Sequence, residues 1–200
     1  LRSTRSRNPE FGMDRLHITM VSAEAFPFVK VGGLADVVGA LAKALENHGM
    51  TVAIILPAFK VIHHDHFAIR PYEPIPDFLV PMGSSWSRGE VYHTRMAGTG
   101  IDVFLIGSGD YFYRDGIYDD PVTKEGYPDN MERFTFFMKA ALEVVRRLGG
   151  TDVIHCHDWQ TALIPGLVRT NLDRDPLFGR IGTLFTIHNL AYQGIYPKES

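Results

Sequence analysis

The run Leu16-His17-Ile18-Thr19-Met20-Val21-Ser22, the stretch Gly33 to His48 and the run Val52-Ala53-Ile54-Ile55-Leu56 together decide the fold. The first and third are short, apolar and rich in β-branched residues, as strands are. Between them Leu34, Val37, Val38, Leu41, Ala44 and Leu45 recur at helical spacing, and Gly49 supplies a stop. A strand, a helix and a strand of these lengths make a βαβ unit.

The alternation continues along the chain. Val91 to Ala97, Val103 to Ile106, Val153 to His155 and Leu184 to Ile187 also have strand character. Several of these runs are apolar enough to be covered on both faces, and parallel pairing follows. Asp129 to Leu148 is the longest helical stretch, with Asp129 or Asn130 as its cap. Phe134, Phe137, Met138, Ala141, Leu142, Val145 and Leu148 lie on one face, and Gly149-Gly150 end it. Another βαβ step runs through Trp159 to Arg169. The pattern predicts an α/β domain built on a parallel sheet. Pro57 to Pro81 and Gly107 to Pro128 carry Pro, Gly, Asp and aromatics, and read as long functional loops.

The 200 residues are 45% hydrophobic and 22% charged, enough apolar material for one good core. Leu1 to Gly12 lacks apolar periodicity and precedes Met13, so it reads as an expression-vector remnant. Without its three Arg and one Glu the formal charge moves from −3 to −5. An acidic body argues against nucleic acid as a partner, because phosphate contacts need clustered Lys and Arg. The single Cys156 forms no intrachain disulfide, and no apolar run is long enough to span a bilayer, so the expected location is the cytoplasm, away from membranes.

Four stretches carry residues suited to chemistry. Between the first strand and its helix lies Lys30-Val31-Gly32-Gly33-Leu34-Ala35-Asp36. Adjacent glycines let a backbone approach a ligand, a helix N-terminus favours an anion, and Lys30 adds a full charge. Asp36 either stabilises the helix or binds hydroxyls. The same residues also fit a plain tight turn with a solvated lysine. His155-Cys156-His157-Asp158-Trp159 ends a strand, where ligands of open parallel sheets bind. Here His157 is the candidate donor to a substrate, whereas Asp158 reads as a helix cap and His155 as a satisfied core histidine. His188 and Asn189, in Thr186 to Gly194, again follow a strand, with Tyr192 and Gln193 beyond. Asn189 also suits a simple turn. Tyr127 and Asn130 open the long helix. His63-His64-Asp65-His66 resembles a metal cluster but sits in a loop, and reads as solvated.

In this order the stretches resemble the starch and glycogen synthases of glycosyltransferase family five. The run Lys30 to Leu41 is similar to that family's K-x-G-G-L opening, with Ser22 to Pro27 before it. Leu56 to Phe59, Tyr113 to Tyr118, the Asp129-Asn130 block, His155 to Trp159 and Thr186 to Gly194 follow in sequence. The resemblance implies two Rossmann-like domains facing a cleft, the GT-B arrangement, of which residues 13–200 form the truncated N-terminal one, without the second. It implies ADP-glucose as donor, an α-1,4-glucan such as glycogen as acceptor, no cofactor and no metal. It also assigns roles: Lys30, Gly32 and Gly33 near the donor's phosphate and glucose, Asp36 close by, and His157 against the transferred glucose. Tyr127 and Asn130 would line the cleft, and His188 with Asn189 would form its floor. The missing domain carries most of the leaving-group stabilisation, so this stretch alone is expected to be inactive.

Two other readings fit parts of the pattern. A metal hydrolase would use His155, His157, Asp158 and His188 as ligands. A non-catalytic glucan-binding module would use the aromatic loops, but would leave Lys30 and the glycines without a phosphate to hold.

Overall fold

The computed structural model describes residues 15–197. The stretch Leu1 to Gly12 and Met13 lie outside the described residues, as does Ser200. One eight-stranded sheet runs through the molecule, in the order β3-β5-β6-β2-β1-β7-β8, with β4 added to β5. The strands are β1 (His17–Val21), β2 (Thr51–Pro57), β3 (Arg70–Pro71), β4 (Phe78–Met82), β5 (Ser85–Arg95), β6 (Asp102–Gly107), β7 (Val153–His157) and β8 (Gly182–Thr186). Helices α1 (Gly33–Asn47), α2 (Asn130–Arg147) and α3 (Leu163–Thr170) make the crossovers.

The five strands β6, β2, β1, β7 and β8 are parallel, as the apolar runs predict. In β1, β6 and β7 every residue after the first is buried, the signature of a sheet covered on both faces. The parallel expectation fails at the other end of the sheet. β5 runs antiparallel to β6, and β3 and β4 run antiparallel to β5. The cause is the connection: residues 96–101 close a tight turn, with Met96 N–H donating to Ile101 O at 3.0 Å, and a turn that short cannot carry a crossover. The expected loop Pro57 to Pro81 is corrected too, because β3 and most of β4 lie within it. Its strand signal is the two-residue period in which Phe78 and Val80 are buried while Leu79 and Pro81 are exposed.

Helix α2 is the centre of the core. It buries Phe134, Phe136, Phe137, Met138, Ala140, Ala141, Val144 and Val145, more than one face of it. It ends where the sequence says, because Gly149 and Gly150 take φ of 90° and 97° and return their N–H groups to Arg146 O and Val145 O. Helix α3 is preceded by a 3-10 turn, Trp159–Thr161, so the predicted single helix is broken near its start.

The chain order fixes where a ligand goes. From β1 the chain steps through α1 to β2 and on to β6. From β6 it crosses through α2 to β7 on the other side of β1. β1 and β7 are therefore the strands between which the connections diverge, and a crevice opens at their carboxyl ends.

Helix α1 is pressed hard against the turn that follows β1. A β-carbon placed on Gly39 would lie 2.5 Å from the carbonyl oxygen of Phe26, and the neighbouring Phe26 N–H donates to Ala35 O at 3.0 Å. Gly39→Ala should thus destabilise the chain by roughly 1–3 kcal/mol, read from urea unfolding midpoints, because backbone rather than a flexible side chain must move. An unchanged midpoint would show that α1 and the turn are not packed as described.

Candidate active site

The turn after β1 is built from the inside. Ser22 Oγ donates to Glu24 O at 2.8 Å and accepts Glu24 N–H at 3.2 Å, a local bend that sends the Glu24 side chain inward. Glu24 is 3% exposed. Its Oε2 accepts the N–H groups of Val31 at 2.6 Å and Gly32 at 2.9 Å, and its Oε1 accepts the hydroxyl of Tyr118 at 2.7 Å. The Gly32 N–H, a natural donor to an incoming anion, is thus spent on an internal carboxylate.

What faces outward is the rest of the turn. Lys30 Nζ donates to both oxygens of Asp36, at 2.8 and 2.7 Å, with both side chains about half exposed. The first helical N–H groups of α1 have no side-chain cap. Gly32 is extended, with φ −137° and ψ −164°, a conformation open to any residue, and Gly33 is not among the positive-φ residues. A β-carbon on Gly32 or Gly33 would meet nothing within 4 Å. Neither tight-turn geometry nor crowding calls for these two glycines, and the space they leave opens onto the surface. Beside them is a cavity of about 450 Å³, lined by Lys30 and Val31 on one side and Asp115, Ile117 and Tyr118 on the other.

The ends of β7 and β8 bring three imidazoles together. His157 is fully buried, with its ring centroid 4.1 Å from that of His155 and 5.3 Å from that of His188. His157 Nδ1 and His188 Nε2 share a hydrogen bond at 3.0 Å, His155 Nε2 pairs with Thr186 Oγ1 at 2.8 Å, and His157 Nε2 has no partner among the described residues. Burial, then the neighbouring imidazoles His155 and His188, push the His157 pKa down to about 3, so the ring is neutral. Burial lowers His155 as well. His155 is the satisfied core histidine that the strand position suggests.

Asp158 departs from its expected role. It occupies the cap position of the 3-10 turn, yet its side chain makes no cap bond there. Its φ of 58° with ψ −179° turns the chain so that Oδ1 instead accepts the His188 N–H at 2.6 Å. That is a strained backbone for a non-glycine residue, located at the crevice. Asn189 makes a local turn, its Oδ1 accepting Ala191 N–H at 2.9 Å.

Tyr127 and Asn130 belong to the wall built by the long loop 108–129. Asn130 Nδ2 donates to Tyr118 O at 2.8 Å, and its Oδ1 accepts Arg133 Nη1 at 2.6 Å. Tyr127 lies under the guanidinium groups of Arg114 and Arg133, and its hydroxyl accepts Gly116 N–H at 3.2 Å. Asp129 is not a side-chain cap either. Burial favours its neutral form, but the bidentate Arg114 outweighs that and holds the carboxyl below its usual range.

The two candidate turns therefore follow the neighbouring strands β1 and β7, and Glu24 with Tyr118 ties the first of them to the loop 108–129. A family model described as the starch synthase catalytic domain matches residues 17–200. The chain belongs to this family. Glycogen synthase from Geotalea daltonii is 43% identical over 187 residues, covering 92% of this chain and 37% of the relative. Glycogen synthase 2 from Geobacter metallireducens is 40% identical with the same coverage. The solved catalytic domain of starch synthase IV from Arabidopsis thaliana, bound to ADP and acarbose, superposes with a TM-score of 0.80 at 32% identity, over 90% of this chain and 35% of its own. The chain spans 37% of the length of these curated relatives.

In this starch synthase domain, sequence patterns marked Lys30, Asp36, His157 and Asn130 but missed two buried groups that hold the turns around them. Glu24 and Arg133 stand out. Arg133 is fully buried, donates Nε to Tyr111 O at 2.8 Å and Nη1 to Ile117 O at 3.1 Å, and has no carboxylate among its hydrogen-bond partners. Its signal was present: an arginine beside Phe134, Phe136 and Phe137 on a core helix has to find acceptors. In the histidine block at 63–66, His64 lies edge-on to Tyr92 and His66 edge-on to Phe67. Among the described residues no group of three or more His, Cys, Asp or Glu is arranged to hold a metal ion, and no helix is long and apolar enough to cross a membrane.

The neutral His157 gives a pH prediction. Its folded pKa lies below the unfolded value near 6.5, so the stability it confers is intact above pH 6.5 and is lost as pH falls toward 3. Between pH 7 and 4 this loss is on the order of 3 kcal/mol. His157→Gln should flatten the acid limb of a stability-against-pH curve, and an equally steep limb in the variant would contradict the buried neutral ring.

Proposed function

We propose that the protein carrying this chain is a glycogen or starch synthase. It moves glucose from ADP-glucose to the non-reducing end of an α-1,4-glucan with retention of the α configuration. The chain supplies the N-terminal half of a two-domain cleft, and the cytoplasm is its working compartment. One observation carries the reading: within a starch synthase family domain, the Lys30 turn and His157 follow or end β1 and β7, two parallel strands paired side by side. The ADP held by the Arabidopsis neighbour supports an adenine nucleotide sugar as donor.

The local chemistry suits this reaction. An exposed ion pair contributes at most about 1 kcal/mol, so an arriving diphosphate readily takes Lys30 Nζ from Asp36. The uncapped start of α1 adds its N–H groups and dipole, and the space over Gly32 and Gly33 lets the diphosphate come close. Asp36, once released, accepts hydroxyl protons of the sugar. His157, held neutral and with Nε2 unpartnered among the described residues, suits a hydrogen bond to the transferred glucose rather than a charge. Tyr127 and Asn130 shape the loop that walls the cleft, and His188 with Asn189 closes its floor. This donor site relies on positive side chains, and the diphosphate needs no metal ion here.

Most charge stabilisation of the departing nucleotide would come from the second domain, beyond this chain. Residues 1–200 alone should show negligible glucan elongation from ADP-glucose, and a rate near that of the complete protein would overturn this division of labour. In the complete protein, Lys30→Ala should lower kcat/KM for ADP-glucose by about 100-fold, the usual effect of removing one group that stabilises developing charge. The same change should shift stability by no more than roughly 0.5 kcal/mol, since the lysine is exposed. His157→Ala should mainly reduce kcat. Unaltered kinetics in both variants, or a complete protein that transfers no glucose from ADP-glucose, would reject the function.

A further inference from the structure

The Glu24 carboxylate makes three hydrogen bonds and is buried where a water-exposed carboxylate would not be needed. Two come from successive backbone N–H groups, Val31 and Gly32, so the carboxylate takes up amides that could otherwise hold a bound anion. The third comes from Tyr118, 94 positions away in sequence, on the loop that forms the far wall of the 450 Å³ cavity. Burial and the carboxylate charge raise the Tyr118 phenol well above its ordinary pKa, so it stays a donor. Asn130 and Arg133 in turn hold the backbone around Tyr118, at Tyr118 O and Ile117 O.

We propose that Glu24 is a positioning residue: an internal anion that presets the Lys30-Gly32-Gly33 turn and ties it, through Tyr118, to the facing loop. Its role rests on the function proposed above, in which that turn receives a nucleoside diphosphate. With the Val31 and Gly32 donors turned inward, the incoming diphosphate is left Lys30 Nζ and the start of α1. Glu24 therefore sets the direction in which the turn presents its positive groups, and a shift of the loop is felt at the turn through one shared carboxylate.

The test uses Tyr118→Phe, which removes only the hydroxyl and keeps the ring against Phe134. The first readout is amide hydrogen exchange at Val31 and Gly32, with amides of β7 as control. Loss of one hydrogen bond to a charged acceptor should quicken exchange at those two amides by about tenfold while β7 is unchanged. The second readout is ADP binding to the complete protein by calorimetry, where Tyr118→Phe should weaken Kd about tenfold and leave binding of a neutral maltooligosaccharide unaltered. Glu24→Gln keeps an oxygen for the two N–H groups and can turn its amide toward Tyr118, so it should fold and bind ADP better than Glu24→Ala. Unchanged exchange at Val31 and Gly32 overturns the proposal, and so does faster exchange with unchanged ADP affinity. Equal acceleration in β7 also overturns it, because that reports general loosening. If the unmodified complete protein binds no ADP, the proposed function falls, and the exchange experiment alone judges the clamp.

Discussion

Everything in this domain depends on β1 being hydrogen-bonded on both sides by parallel strands, β2 and β7. Parallel neighbours need crossovers, and the crossovers here lead to opposite sides of β1, from β1 to β2 and from β6 to β7. The segments that follow β1 and β7 cannot pack over each other, so their polar ends line a crevice. Nothing about Lys30 or His157 as individual residues would set the strands before them side by side. The pairing of Val21 with Cys156 in one register does.

The loops around the site are held by buried polar groups that bond one another, although Arg133 keeps one Nη without a partner among the described residues. Glu24 is matched by two amides and a phenol, and Arg133 by two carbonyls and the Asn130 oxygen. Each would be costly alone in an apolar surrounding, and each is tolerable only with its partners in place. The pattern explains why the loop 108–129 is ordered around α2 despite its turn-rich composition. The outward groups are different in kind. Lys30, Asp36 and Asn189 are exposed and weakly committed, and a ligand can recruit them at little cost in stability.

Much of the fold was legible because hydrophobic period reports burial directly. The continuous apolar runs of β1, β2, β6 and β7 announced a doubly covered parallel sheet, and the α2 stripe with its closing glycines announced the central helix. The antiparallel edge was not seen, since Val91 to Ala97 reads as a strand whichever way its neighbour runs, and the direction was set by the short turn at 96–101. β4 was hidden by Pro81, which an edge strand tolerates because the unpaired side needs no donor. At the site, residue type and position after a strand marked Lys30, Gly32, Gly33, Asp36, His157 and His188. The same logic assigned cap roles to Asp129 and Asp158 that their side chains do not play, because Arg114 and the His188 amide, both distant in sequence, outcompete the local bond.

The amino-acid sequence by itself determined which segments are strands and helices, where they stop, and which family the chain resembles. Those properties are local, written in spacing, composition and short motifs. Only the tertiary structure decided that β1 and β7 are neighbours, that Gly32 donates inward to Glu24, and that His157 is neutral. These depend on contacts between residues tens of positions apart, and on desolvation, which no single residue carries until the chain has closed around it.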